Sequence, residues 1–168
     1  MASFTVHFGF SQRFPFPVTE AYAWCTDFDQ GDIVLEGMKG SRRIEWTDAD
    51  TVILTDTVED PDGQKITKVK VVRLYPHLLM WTNTRVSEPG RYSQFVYQIV
   101  SEGANASRLD YNGAQIEEAV STTSSAEIAA ISKRLASEDS LAWVNLAAAM
   151  KKDLAHSSSR QASGTSSQ

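Results

Sequence analysis

One feature constrains this chain more than any other: a series of short alternating strands is closed by a long, Ala-rich helical segment, about Ser125 to His156. The apolar residues of that segment, Ile128, Ile131, Leu135, Trp143, Leu146 and Met150, recur at helical spacing and must be buried against something. In a β-rich body the economical solution is a curved sheet wrapped around the helix. That arrangement leaves space between the concave face and the helix, and so predicts a pocket.

The strands are read from two-residue alternation broken by turn residues. Phe4 to Phe14 is the first, stopped by Pro15 and Pro17. A short helix follows over Glu20–Cys25, with Thr19 at the N-cap position, and a second short helix or turn runs from about Asp29 to Leu35. Six further strands are predicted at Ser41–Trp46, Thr51–Val58, Lys65–Leu74, Leu78–Val86, Tyr92–Val100 and Ser107 to about Ile116. Asp60-Pro61-Asp62-Gly63 is the clearest hairpin signal. The short connections imply an antiparallel meander. Ser124 and Glu127 form a capping box for the closing helix. Ser137-Glu138-Asp139-Ser140 interrupts its stripe, as a solvated bulge or a break into two helices. The Ser-rich segment 157–168 has nothing to bury and is expected to be disordered, which leaves one domain over 1–156.

This order of elements resembles the START/Bet v 1-like (SRPBCC) superfamily, and within it the polyketide cyclase/dehydrase and lipid-transport-like branch. The resemblance rests on Phe14-Pro15-Phe16-Pro17-Val18-Thr19-Glu20-Ala21-Tyr22-Ala23-Trp24, on Leu74-Tyr75-Pro76 through Met80-Trp81, and on Ser140-Leu141-Ala142-Trp143. It implies an α+β helix-grip fold: a seven-stranded curved antiparallel sheet around a long C-terminal helix, with two short helices after the first strand. It also implies a hydrophobic cavity, but no particular reaction, because members include carriers, sensors, cyclases and chaperone cofactors.

Alternation then assigns faces. With Lys68 and Lys70 turned to water, Val69 and Val71 point inward. The other inward sets are Ile44 and Trp46; Leu79, Trp81 and Asn83; Ser93, Phe95, Tyr97 and Ile99; Leu109, Tyr111 and Gly113; Trp143, Leu146 and Met150 face them from the helix. The expected cavity lining is therefore Trp46, Val69, Val71, Leu79, Trp81, Asn83, Phe95, Tyr97, Tyr111, Asp139, Trp143, Leu146 and Met150. Such an apolar and aromatic set with a few polar groups suits a small-molecule site, although each aromatic is also ordinary core. Asp139 falls in phase with the buried stripe, while Asp56, Asp110 and Glu45 are assigned to water.

Other chemistry is thin. His7, His77 and His156 lack metal-site spacing, and no metal or cofactor is expected. Cys25, the single cysteine, excludes an intramolecular disulfide, fits a reducing compartment, and reads as core and not nucleophile. Gly37-Met38-Lys39-Gly40-Ser41-Arg42-Arg43 lacks the ending of a phosphate-binding loop. A net charge of -5 argues against nucleic-acid partners. No stretch is apolar enough for stable membrane insertion and no secretory signal is visible, so cytoplasm is the expected location. Three functions remain: binding of a hydrophobic or aromatic (lipid- or polyketide-like) small molecule; a cofactor-independent cyclase or dehydrase; and a chaperone-activator-like interaction module with a filled core.

Overall fold

The alternating segments form seven strands, and their order in space follows the chain except at one point. The computed structural model describes residues 2–60, 62–119 and 123–163. Strand β1 (Ala2–Phe14) is followed by helices α1 (Val18–Cys25) and α2 (Asp32–Leu35). The meander is β2 (Gly40–Asp48), β3 (Thr51–Glu59), β4 (Lys65–Tyr75), β5 (Met80–Arg85), β6 (Gln94–Ser101) and β7 (Ser107–Ala119), and α3 (Ser125–Ser163) closes the chain. The sheet order is β1-β7-β6-β5-β4-β3-β2, all antiparallel, so only β1 pairs far from its sequence neighbours. This is the helix-grip architecture.

Local chemistry explains most boundaries. In the β3–β4 hairpin Asp60 Oδ1 accepts from the Asp62 and Gln64 amides at 3.0 and 2.7 Å, and Gly63 takes the left-handed backbone (φ +79°) that the turn requires; Pro61 lies outside the described residues. The capping box at α3 is reciprocal: the Ser124 amide and hydroxyl donate to Glu127 Oε2 at 2.7 Å, and the Glu127 amide donates to Ser124 Oγ at 3.3 Å. Thr19, however, does not cap α1. Pro17 occupies that position with extended ψ, its carbonyl accepting from the Ala21 amide at 3.0 Å, and Thr19 lies inside the helix. β5 starts at Met80 because Pro76–Leu78 forms a 3-10 turn ending on Leu79 in the left-handed region. β6 starts at Gln94, after Tyr92, whose φ of 73° breaks the extended run.

Helix α3 is continuous through Ser137–Ser140. Glu138 takes an i,i+4 bond from Arg134 at 3.0 Å at the exposed rim, and Asp139 turns inward, so the polar run needs no break. The helix also continues into the Ser-rich segment as far as Ser163, while 164–168 lie outside the described residues. Two apolar clusters hold it. Its first half (Ile128, Ile131, Leu135) packs on Val6, Phe8, Phe95 and Tyr111. Its second half (Trp143, Ala147, Met150, Leu154) packs on Phe14, Tyr22, Leu54, Val72, Trp81 and Leu109. Ser132 Oγ pins the first half to β1 through the His7 carbonyl at 2.7 Å.

Candidate functional site

Between the two clusters lies a cavity of about 380 Å³ bounded by the concave sheet, α2 and α3. Its walls follow the strand registers. On the inner face Arg42 opposes Asp56, which opposes Lys68; Lys70 opposes Arg85; Val72 opposes Asn83, which opposes Phe95; and Trp81 opposes Tyr97, which opposes Tyr111. The part of the cavity bounded by Arg42, Lys68, Lys70 and Arg85 is therefore charged, and the part bounded by Trp81, Tyr97 and Tyr111 aromatic.

Of the expected lining residues, Trp81, Asn83, Phe95, Tyr97, Tyr111, Asp139, Trp143 and Leu146 line this cavity. Trp81 and Tyr97 stack with ring centroids 4.9 Å apart and an interplanar angle of 3°, and the Trp143 ring tilts against both. Five do not line it. Val69 and Val71 are on the opposite face: β4 turns Lys68, Lys70 and Val72 inward, the reverse of the expected assignment. Asp56, itself assigned to water but fully buried, shares that inner face and pairs there with Arg42 and Lys70. Trp46 lies beyond the cavity at an irregularity in β2, 46% exposed and against Phe28. Leu79 is displaced by the turn before β5. Met150 is sealed in the core below. Glu45 does face water, and Asp110 lies on the outer face, paired with Arg108.

Sequence reasoning missed most of the charged lining. Arg42 donates to Asp56 Oδ1 through Nε at 2.6 Å and to Oδ2 through Nη2 at 3.0 Å, and grips Glu36 with both terminal nitrogens at 2.9 and 3.1 Å. Lys70 Nζ completes the network on Asp56 Oδ2 at 2.7 Å. Burial opposes the charge on Asp56, but the Arg42 and Lys70 contacts outweigh it and hold the carboxyl below its usual range. Arg42 is likewise penalised by burial, and Asp56 with Glu36 more than restores its charge. Arg85 and Gln115 also line the cavity; both continue the inward alternation of Trp81-Asn83 and Tyr111-Gly113, a signal available in the sequence. Glu36 and Asp32, on and beside α2, carried no such signal.

A second polar group sits against α3. Tyr111 Oη donates to Asp139 Oδ2 at 2.7 Å. Burial pushes the Asp139 carboxyl above its ordinary value, against the stabilising bond from Tyr111. Burial, with the Asp139 charge nearby, pushes up the hydroxyls of Tyr97 and Tyr111, so both stay protonated. Asn83 Oδ1 is buried with no hydrogen-bond partner. Burial and the acids Asp27 and Asp32 raise the Cys25 thiol well above its usual range, which removes the thiolate a nucleophile needs. His77 is exposed on the 3-10 turn. Among the described residues no cluster of three His, Cys, Asp or Glu is placed to hold a metal ion, and no helix is long and apolar enough to cross a membrane.

No protein-family model matches the sequence, and no curated protein matches it. Solved structures do share the fold. The ZhuI aromatase/cyclase from Streptomyces sp. R1128 superposes with a TM-score of 0.73 at 10% identity, covering 90% of this chain and 96% of its own. A START superfamily protein from Mycobacterium smegmatis gives 0.68 at 12% identity, covering 88% and 98%. The di-domain aromatase/cyclase StfQ from the steffimycin biosynthetic pathway gives 0.68 at 16% identity, covering 90% of this chain and 52% of its own. At such identities the likeness is one of fold: this chain has the helix-grip fold that these aromatase/cyclases and the START superfamily protein share.

Proposed function

We propose that this protein binds a hydrophobic or aromatic small molecule in the cavity beneath α3. The observation that carries the reading is the cavity of about 380 Å³ walled on one side by Trp81, Tyr97 and Trp143. That volume falls within the range of small-molecule sites, and flat aromatic walls with a few fixed polar groups are their usual lining. Asn83 Oδ1 adds to it, because an orphaned buried acceptor costs about 1–3 kcal/mol until something donates to it. An interaction module would need no such space. The proteins sharing the fold include aromatase/cyclases, which fits the lipid- or polyketide-like ligand class. A cytoplasmic location is part of the same reading.

A cofactor-independent cyclase or dehydrase is the second reading, favoured by the Tyr111–Asp139 pair. A raised carboxyl joined to a phenol, with Asn83 and Tyr97 lining the same space, supplies the converging proton donors and acceptors that such chemistry requires. Native mass spectrometry of the freshly purified full chain tests the binding reading. An organic adduct released on denaturation is the expected result. A bare mass, together with no saturable binding of polycyclic aromatic or fatty-acyl probes, would overturn it.

A further inference from the structure

Four cations line the cavity, and only two are neutralised. Arg42 is held by Glu36 and Asp56, and Lys70 by Asp56. Among the described residues, no carboxylate lies within ion-pair distance of Lys68 or Arg85. Lys68 opposes Asp56 in register, yet the oxygens of Asp56 are taken by Arg42 and Lys70. Arg85 donates Nη1 to the Pro89 carbonyl at 3.2 Å, and its Nε is buried with no partner. The acids acting on Arg85 from nearby are Asp139 and Glu117. Asp139 accepts from Tyr111, and Glu117 accepts from Gln115 Nε2 at 2.6 Å. Burial lowers the pKa of both cations, and for Lys68 the neighbouring Arg85 and Lys70 add to the effect.

Placement is what turns two lone cations into a seat. Lys70 and Arg85 face each other across β4 and β5, and Lys68 is the next residue of the same face, so Lys68 and Arg85 are diagonal neighbours. Both line the cavity that also holds the Trp81–Tyr97 stack. A guanidinium fork with a free Nε and an adjacent ammonium match an anionic oxygen group on a ligand, which would form charge-assisted hydrogen bonds with both.

We propose that the cavity is selective for an aromatic anion, its rings against Trp81, Tyr97 and Trp143 and its carboxylate, or an equivalent anionic oxygen group, between Lys68 and Arg85. This rests on the small-molecule reading above and narrows it to a ligand class. The separation of the two ends also gives the ligand a direction in the cavity.

The test is calorimetric titration of the full chain with naphthalene-2-carboxylate and anthracene-2-carboxylate, each against its neutral carboxamide. The acids are expected to bind at least about tenfold tighter than the amides, as a charge-assisted pair predicts, with the preference shrinking at high salt. In Lys68→Gln and Arg85→Gln the acid-to-amide preference should fall towards unity. Arg85→Lys should keep much of it. Equal binding of acid and amide to the wild type, or a preference unchanged in both glutamine variants, overturns the anion seat while leaving the cavity reading intact. Failure of all four probes to bind overturns the aromatic-anion seat, and the cavity reading falls with it only where native mass spectrometry also gives a bare mass and fatty-acyl probes do not bind. The wild-type comparison needs no variant, so a variant that fails to fold leaves the test standing.

Discussion

Replacing Asp56 by Asn should be the most damaging isosteric change available in this protein. The wild-type carboxylate is fully buried and accepts three charge-assisted bonds, two from Arg42 and one from Lys70. The amide keeps the shape but removes the charge and turns an N–H group towards the cations. Arg42 retains Glu36, whereas Lys70, with 13% of its side chain exposed, keeps no carboxylate. Breaking a buried pair from one side costs about 3–5 kcal/mol, and access of Lys70 to the cavity favours the lower end. For a chain of this size, about 3 kcal/mol corresponds to a fall in Tm of roughly 6–12 °C. Urea denaturation and calorimetry at pH 7 measure both quantities. The outer-face Asp110→Asn, which breaks the half-exposed pair with Arg108, is the control and should cost at most about 1 kcal/mol. Because the Asp56 carboxyl is held below its usual value, its contribution is full above the unfolded pKa of about 4 and is lost as pH falls through the folded pKa. The gap between wild type and variant should therefore narrow in acid. A loss below about 1 kcal/mol at pH 7, or a gap that widens in acid, would refute the view that Asp56 organises the charged wall.

Two further outcomes follow from other parts of the fold. Burial, with Asp32 and Asp29 nearby, pushes the Asp27 carboxyl up to about 6; an NMR titration should find it there, Asp32→Asn should lower it, and the raised pKa should make stability fall as pH rises from about 4 to about 6. Gly113 lies where a Cβ would come within 2.9 Å of Phe8 Cζ and 3.1 Å of Phe95 Cδ1, so Gly113→Ala should cost about 1–3 kcal/mol by denaturant titration, and a neutral result would mean that the two rings shift freely.

The fold was legible because its signals are geometric. Alternation, the Asp60–Gly63 turn and the Ser124–Glu127 cap each act locally, and the closing helix needs only one wide sheet to cover it. Half of the site was legible for the same reason: Trp81, Asn83, Tyr97, Tyr111 and Asp139 follow from period alone. The facing of Lys68, Lys70 and Asp56 failed through one assumption, that charge means water. Alternation divides β4 into two correct sets but does not say which set faces in. Here the inward set is the one that shares its face with the buried Asp56 carboxylate of the neighbouring strand, and reading Asp56 as outward follows from the same assumption. The two errors supported each other, hiding the Arg42–Asp56–Lys70 network. Trp46 and Leu79 were lost differently, to a strand irregularity and a left-handed turn residue that carry no periodic signature.

The pairing of β1 with β7, from Ala2 opposite Ala119 to Phe14 opposite Ser107, has a consequence for how the molecule is made. During synthesis β1 is made before the other strands of this sheet, yet it waits for β7, the strand it pairs with among the described residues. Until the seventh strand has emerged, a long edge bearing Phe4, Val6, Phe8 and Phe10 has no ladder to join. Closure of that loop comes late and is entropically demanding, so the meander β2 to β7 is expected to assemble ahead of it and serve as the template. Strand β1 is then the last part of the sheet to arrive, and the strand most in need of protection while translation proceeds.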